Sequence, residues 1–251
     1  MIGVVGGMGP YAGLDLVKKI FDLTNAGKDQ EHLPVLLYSA PQLIGDRTAY
    51  LLGEIETNPA DAIASCLNRM YQQDIRVAGI PCNTAHAPVI FDRILSLIPS
   101  DMKLLNMPDE VSRFIKTQYS GLNKVGILST TGTWQFNLYP QKLETYGLTA
   151  IQLEREKQDE WVQQAIYHPE YGIKANSKLI CSQAVERLMK ASNWLIDQGA
   201  EIIISGCTEI PLALPMSHIN NVPLIDATKV LAAALIKETF PEKLLSNWCE
   251  R

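Results

Sequence analysis

The chain has 251 residues, of which 47% are hydrophobic and 20% charged, and its formal net charge is -5. This length suits one large domain or two small ones, and the longest apolar run, Val230–Ile236, is far shorter than the about 20 residues of a membrane-spanning helix. The acidic balance argues against binding to nucleic acid or an anionic membrane, while five widely spaced cysteines and an N-terminus without a secretory signal predict reduced thiols and a cytoplasmic protein.

Short apolar runs alternate with longer helical patterns along the chain. The runs are typical of strands buried on both faces of a parallel sheet and predict Ile2–Val5, Val35–Ser39, Val77–Ile80, Val125–Leu128 and Ile202–Ser205. Helical spacing of apolar residues predicts Ala12–Asn25, Asp61–Gln73, Glu110–Gln118 and Ser182–Gln198. This alternation indicates an α/β fold, in which ligand sites gather at the carboxyl ends of the strands.

Landmarks of the first half recur at a nearly constant spacing in the second half. The matching segments are Gly3–Pro10 with Gly126–Thr133, Val77–Thr84 with Ile202–Glu209, and Leu104–Asn106 with Leu224–Asp226. The repeat predicts two pseudo-symmetric lobes, each a parallel-sheet α/β/α sandwich, with the active site in the cleft between them. We predict a first lobe of residues 1–105 plus 219–251 and a second of residues 106–218, because the final helix, Thr228–Thr239, is expected to pack back on the first lobe.

Each predicted lobe carries one cysteine directly after a buried strand, Cys82 in the first and Cys207 in the second. A thiol there lies near a helix N-terminus, where free N–H groups and the helix dipole lower its pKa and bind anions. The donors that follow, Asn83, Thr84 and Thr208, can hold a substrate carboxylate. Because a thiol has an ordinary pKa of about 8.5, a thiol and a thiolate can serve near neutral pH as acid and base. Such a pair suits racemisation, in which an α-proton leaves one face of a carbon and another returns to the opposite face.

Three segments together resemble the signature segments of the aspartate/glutamate racemase family, and of aspartate racemases in particular. They are Gly6–Pro10, Pro81–His86 and Gly206–Leu212, and the resemblance extends over about residues 1–240. It implies two pseudo-symmetric α/β domains, an amino-acid substrate, no pyridoxal phosphate or other cofactor, and no metal. It also implies a two-base mechanism that uses Cys82 and Cys207, and a homodimer.

Two cations lie in segments similar to those where aspartate-recognising members of the family carry side-chain-binding residues. Arg47 lies in a turn-rich segment after the strand Val35–Ser39, and a guanidinium group matches a carboxylate in a bidentate manner. Lys174 ends a loop-like segment that begins at Ile166. Together they favour a dicarboxylic amino acid as substrate. Each could instead form a surface ion pair.

Other residues near the predicted strand ends are candidates for substrate binding. Met8 lies in the first such loop of the first lobe. Thr130 lies in the corresponding loop of the second lobe and resembles a carboxylate-binding threonine of the family. Glu209 could contact the substrate ammonium group or cap its own helix. His86, four residues after Cys82, could tune that thiol or only pack beside it.

Other functions fit part of this pattern. A zinc site could use Cys82, His86, Cys207 and Glu209, although neither pair has the usual C-x₂₋₄-C spacing. A non-catalytic amino-acid-binding module suits a two-lobed cleft but gives no reason for a thiol in each lobe. Relatives in the superfamily isomerise maleate, racemise hydantoins or decarboxylate arylmalonates. A glutamate or broad-specificity racemase also stays open, because sequence does not size the pocket.

Overall fold

The computed structural model describes residues 1–250, which separate into two compact units. The first unit consists of Met1–Glu110 together with the chain from Thr228 onward, and the second consists of Val111–Ala227. None of the helices in the described part of the chain is long and apolar enough to cross a membrane.

A parallel four-stranded sheet in the order β2-β1-β3-β4 forms the centre of the first unit. Its strands are β1 (Ile2–Gly6), β2 (Val35–Ser39), β3 (Val77–Gly79) and β4 (Lys103–Leu104). The helices are α1 (Pro10–Asp22), α2 (Arg47–Leu51), α3 (Ala60–Tyr71) and α4 (Pro88–Leu97), with 3₁₀ turns at Asp29–Glu31 and Asn83–His86. Helix α5 (Met107–Gln118) begins in the first unit and continues in the second.

Strand β1 is buried at all five residues because it lies inside the sheet and packs against α1 and α3. Helix α1 begins with a proline, whose fixed φ angle suits the first helical position. Its residues Ala12, Leu16 and Ile20 are buried at a spacing of four, which places them on one face of the helix. The apolar stripe therefore orients α1 against the sheet.

The second unit contains a five-stranded sheet in the order β6-β5-β7-β9-β8, parallel except for β8. Its strands are β5 (Lys124–Ser129), β6 (Thr149–Ile151), β7 (Ile202–Gly206), β8 (His218–Ile219) and β9 (Val222–Asp226). The helices are α6 (Thr131–Gln135), α7 (Leu138–Thr145), α8 (Arg155–Lys157), α9 (Gln164–Tyr167), α10 (Ser182–Asp197) and α11 (Ile210–Ala213). A π-helix, Gln158–Gln163, connects α8 to α9.

The two sheets share one strand order, in which β1, β2, β3 and β4 correspond to β5, β6, β7 and β9. The prediction of two similar α/β lobes with parallel sheets is therefore confirmed. The final helix, α12 (Ala227–Thr239), belongs to the first unit from Thr228 onward. A Cβ atom added to Gly79 on β3 would come within 2.9 Å of Leu235 Cδ1 on this helix, so α12 packs closely on the first sheet as expected.

The unit boundaries differ from the ranges assigned from sequence. The predicted first lobe includes residues 219–227, but β9 pairs with β7 through Ile203 and Leu224, and this pairing ties it to the second unit. The first predicted boundary, at residue 105, precedes the start of α5. The first turn of that helix lies in the first unit, which extends to Glu110.

Candidate active site

In the first unit, candidate residues gather at the carboxyl ends of the neighbouring strands β1 and β3. Cys82 follows β3 closely, is only 6% exposed, and lies at the N-cap of the 3₁₀ turn Asn83–His86. Its backbone carbonyl accepts a hydrogen bond from the Ala85 N–H group at 3.2 Å. Asn83 and Thr84 are buried in the same turn. The strand end thus holds the thiol together with the two predicted donors.

His86 contacts the backbone of the cysteine that it follows. Its Nδ1 atom lies 2.9 Å from the Cys82 carbonyl oxygen, and because a carbonyl only accepts, Nδ1 must carry the proton. The imidazole ring also stacks on Phe91, with ring centroids 5.0 Å apart. His86 therefore stabilises the turn after Cys82 by a hydrogen bond to the Cys82 backbone.

Arg47 lies close to the loop after β1. It is the first residue of α2 and is 6% exposed. Its Nη1 atom donates to the Gly45 carbonyl at 2.9 Å, and Nη2 donates to the Met8 carbonyl at 3.2 Å. Helix α2 also contacts the turn Asn83–His86. The first unit thus brings together Met8, Arg47 and the segment that begins at Cys82.

In the second unit, the equivalent strand ends are those of β5 and β7, where Ser129 pairs with Gly206. Cys207 follows at once and is 6% exposed. Its Sγ atom lies 3.3 Å from Glu209 Oε2, and Thr208 Oγ1 donates to the same oxygen at 3.3 Å. Lys174 Nζ lies 3.2 Å from Glu209 Oε1. Cys207, Thr208 and the partly exposed Lys174 therefore all contact the buried Glu209 carboxylate.

The sequence predicts a lowered pKa for the Cys207 thiol at this strand end, and the structure shows that this prediction is wrong. Burial raises the pKa of Cys207 well above its ordinary value, and the neighbouring Glu209 carboxylate raises it further, while Lys174 opposes the shift. Helix α11 starts three residues later and has only four residues, so it presents little dipole to the thiol. Cys207 is therefore held as a neutral thiol that donates a hydrogen bond to Glu209.

Tyr139 is a buried neighbour of Cys207 that the sequence analysis missed. Its side chain is fully buried, and a Cβ atom added to Gly206 would meet Tyr139 Cε2 at 3.0 Å. Burial raises the pKa of Tyr139 far above its usual value, and nearby Cys207 and Asp226 add to the shift. No motif marks this residue, which reaches the site from α7.

Thr130 is buried at the end of β5, where it caps α6. Its Oγ1 atom accepts a hydrogen bond from the Thr133 N–H group at 3.3 Å. Three side chains of the π-helix, Gln158, Asp159 and Gln163, bond to the residues on either side of Thr130. No motif or spacing in the sequence points to these three residues.

The other cysteines lie away from these strand ends. Cys66 is buried on α3, where burial raises its pKa and favours an inert thiol. Cys181 lies at the N-cap of α10, and Cys249 is exposed. Among residues 1–250, no group of three or more His, Cys, Asp or Glu side chains is arranged to hold a metal ion.

Comparison with known proteins relates this chain to a racemase family. Residues 5–235 match the family model described as Asp/Glu/hydantoin racemase. The broad specificity amino-acid racemase RacX of Bacillus subtilis is 27% identical over 94% of this chain and 96% of its own length. Among solved structures, the aspartate racemase of Picrophilus torridus has a TM-score of 0.80 and 27% identity, covering 98% of this chain and 96% of its own.

A more distant structure shares the fold. The glutamate racemase of Francisella tularensis, solved with D-glutamate, has a TM-score of 0.65 at 17% identity, covering 98% of this chain and 83% of its own. The family match spans both strand-end clusters, including the segments around Cys82 and Cys207. The chain therefore belongs to the Asp/Glu/hydantoin racemase family and is an amino-acid racemase of the type that works without pyridoxal phosphate.

Proposed function

We propose that this racemase interconverts L- and D-aspartate by a two-base transfer of the α-proton between Cys82 and Cys207. One observation carries the proposal. Each unit has a buried cysteine directly after the corresponding strand, β3 or β7, and each cysteine is followed by polar donors. A single thiol would suffice for binding or for one-sided proton transfer. A thiol in both repeats supplies an acid and a base.

The proton balance follows from the two thiols. The thiolate of one cysteine removes the α-proton, breaking the C–H bond and leaving a carbanion. The thiol of the other cysteine then protonates the carbanion from the opposite face, so that one proton moves onto one sulfur and another leaves the other sulfur. Burial and Glu209 favour the thiol form of Cys207, the form that can return a proton to the carbanion.

The polar residues at the strand ends would hold the substrate carboxylate and the charge that develops beside it. Asn83 and Thr84 follow Cys82, and Thr208 follows Cys207. Met8 and Thr130 lie in the loops after β1 and β5, which neighbour β3 and β7 in their sheets. Fixed donors in a water-poor site stabilise developing charge more strongly than water does.

Arg47 and Lys174 are the proposed ligands of the second carboxylate of aspartate. The Arg47 guanidinium is buried beside Met8, close to the turn that follows Cys82. The Lys174 side chain is 22% exposed, and its ammonium group lies over the ring of Tyr167 at 5.3 Å from the centroid. Without substrate, Glu209 offsets the positive charge of Lys174. The second carboxylate of a dicarboxylic substrate would compete with Glu209 for the lysine.

That ion pair also favours a second candidate, a broad-specificity racemase. Nζ of Lys174 lies 3.2 Å from the Glu209 carboxylate, so the positive charge of the lysine already has a counterion. A substrate with a neutral side chain would therefore leave no unpaired charge at Lys174. Substitution of Lys174 by methionine separates the two candidates. A rise in KM for aspartate, with KM for alanine unchanged, supports aspartate as the substrate. Equal effects on both substrates support broad specificity.

The test of the proposed function is proton NMR of L-aspartate in D₂O with the reduced enzyme, followed together with optical rotation. Loss of the α-proton signal with decay of the rotation to zero is the expected result. Absence of exchange with both enantiomers of aspartate, while alanine or glutamate exchanges, rejects aspartate as the substrate. Absence of exchange with all of them rejects the two-base reaction.

A homodimer and a cytoplasmic location complete the proposal. The five cysteines are free thiols in the structure, which favours a reducing compartment. The family resemblance supports the dimer. Sedimentation of the purified chain tests it directly.

A further inference from the structure

The π-helix Gln158–Gln163 lies beside the loop that follows β5, and three of its side chains bond to that loop. Gln158 Nε2 donates to the Ser129 carbonyl at 2.8 Å. Thr131 Oγ1 donates to Asp159 Oδ1 at 2.7 Å, and the Thr131 N–H group donates to Gln163 Oε1 at 2.9 Å. The bonded residues, Ser129 and Thr131, are the two neighbours of Thr130. The π-helix therefore fixes the backbone on both sides of Thr130.

The π geometry is what allows this arrangement. In an α-helix, residues five apart point about 140° away from each other, because each residue turns by about 100°. In a π-helix, hydrogen bonds run from residue i to residue i+5, so residues five apart lie on the same side. Gln158 and Gln163 are five residues apart and reach the same loop. An ordinary α-helix over this segment would turn one of them away.

The segment also bonds to the neighbouring helix α8 and carries a buried polar atom without a hydrogen-bond partner. Gln158 is fully buried, and among residues 1–250 no hydrogen-bond partner reaches its Oε1 atom. Arg155 Nε donates to Asp159 Oδ2 at 2.6 Å, and its guanidinium lies 5.5 Å from the ring centroid of Trp134 on α6. A buried acceptor without a donor is unfavourable. Such a cost, within a rare helix type, is characteristic of segments that serve a site.

We propose that Gln158, Asp159 and Gln163 are positioning residues that fix Thr130 for binding of the substrate carboxylate. This inference rests on the proposed function, because it takes Thr130 as a carboxylate ligand. The three side chains bond to the loop and not to either cysteine. Their loss should therefore weaken binding of the substrate while leaving the proton-transfer step nearly unchanged.

The decisive variants change one hydrogen bond at a time. Thr131→Val keeps the shape of the side chain but removes the hydroxyl that donates to Asp159, whereas Thr131→Ser keeps that donor. Gln163→Ala removes the acceptor of the Thr131 N–H group, and Gln164→Ala, at an exposed neighbour, is its matched control. KM and kcat are measured with L-aspartate, and Kd for L-aspartate is measured by calorimetry.

We expect Thr131→Val and Gln163→Ala to raise both KM and Kd about fivefold, with kcat within about twofold of the parent value. Thr131→Ser and Gln164→Ala should keep all three within about twofold. Unchanged KM and Kd in both test variants overturn the inference, as does a loss confined to kcat. If Gln163→Ala does not fold, the comparison of Thr131→Ser with Thr131→Val decides alone.

Failure of the proposed function gives a different result. If the parent enzyme binds L-aspartate without exchanging its α-proton, racemisation of aspartate is rejected. The difference in Kd between Thr131→Val and Thr131→Ser then tests the positioning role on its own. A parent enzyme that binds no aspartate overturns both proposals.

Discussion

The Sγ atom of Cys207 lies 3.3 Å from Oε2 of Glu209, so the thiol donates a hydrogen bond to a carboxylate two residues further along the chain. The other oxygen of that carboxylate pairs with Lys174, whose charge partly offsets the effect of Glu209 on the thiol. The two halves of the sequence repeat are therefore not chemically equivalent. Within the proposed pair, the surroundings of Cys207 favour the protonated form of its thiol.

This environment predicts a specific dependence of stability on pH. Burial and Glu209 raise the pKa of Cys207 in the folded chain above its unfolded value, so the folded state holds the proton more tightly. The resulting stabilisation is fully present below the unfolded pKa of about 8.5 and is lost as pH rises toward the folded pKa. From pH 8.5 to 9.5, the free energy of unfolding should fall by about 1 kcal/mol more in the parent than in Cys207→Ser.

Urea unfolding at pH 7.5, 8.5 and 9.5 under reducing conditions measures this difference. Cys181→Ser removes a half-exposed thiol and is the control for the loss of a cysteine as such. Identical pH profiles for the parent and Cys207→Ser would show that the pKa of this thiol is not raised by folding.

Replacement of either strand-end cysteine should abolish racemisation. A serine hydroxyl is far too weak an acid to supply a base near neutral pH, so Cys82→Ser and Cys207→Ser should each lower kcat by about a thousandfold or more. Polarimetry with L-aspartate gives the rate, and thermal unfolding confirms that each variant is folded. Cys181→Ser should keep full activity. Retention of more than about a tenth of kcat in either test variant is incompatible with a two-base mechanism.

Arg47 should matter more for an acidic substrate than for a neutral one. Its guanidinium is buried beside the Met8 carbonyl, and its loss removes the proposed charge-assisted contact to the aspartate side chain. Arg47→Ala should raise KM for aspartate about 10- to 100-fold relative to KM for alanine. Arg69→Ala removes a cation of the same unit that bonds to Tyr38 and should change neither value. A uniform rise for both substrates would mean that Arg47 only supports the fold of the loop.

The sequence predicts the sheets well where strands are long, buried and apolar. Strands β1, β2, β3, β5 and β7 match the predicted runs to within one or two residues. Strands β4, β6 and β8 were not predicted, because two or three residues leave no recognisable period. Strand β9 was also missed, since Pro223 near its start interrupts the strand pattern.

The sequence predicts the position of the two strand-end cysteines in the fold better than it predicts the surroundings of Cys207. Cys82 and Cys207 lie at strand ends, as the alternation of apolar runs and helices indicates. The direction of the pKa shift at Cys207 depends on burial and on the position of the Glu209 side chain, neither of which has a sequence signature. The π-helix is equally hidden, because sequence periodicity assumes 3.6 residues per turn and so separates Gln158 from Gln163.

Gly206, directly before Cys207, should tolerate no side chain. An added Cβ atom would lie 2.9 Å from the Leu128 carbonyl oxygen and 3.0 Å from the buried ring of Tyr139, and neither neighbour can move easily. At Gly79, the last residue of the corresponding strand β3 in the first unit, the nearest atom at 2.9 Å is the tip of the Leu235 side chain, which can shift. Neither glycine needs a left-handed φ angle, so the contrast is purely steric.

Gly206→Ala should therefore lower the free energy of unfolding by about 2–3 kcal/mol, whereas Gly79→Ala should cost about 1 kcal/mol or less. Because the added methyl group would displace the backbone directly before Cys207, the folded Gly206→Ala enzyme should also have a lower kcat for aspartate. Urea unfolding and polarimetry measure the two effects. Equal costs for the two variants would show that β7 can move away from Tyr139, and that close packing at Gly206 does not set the position of Cys207.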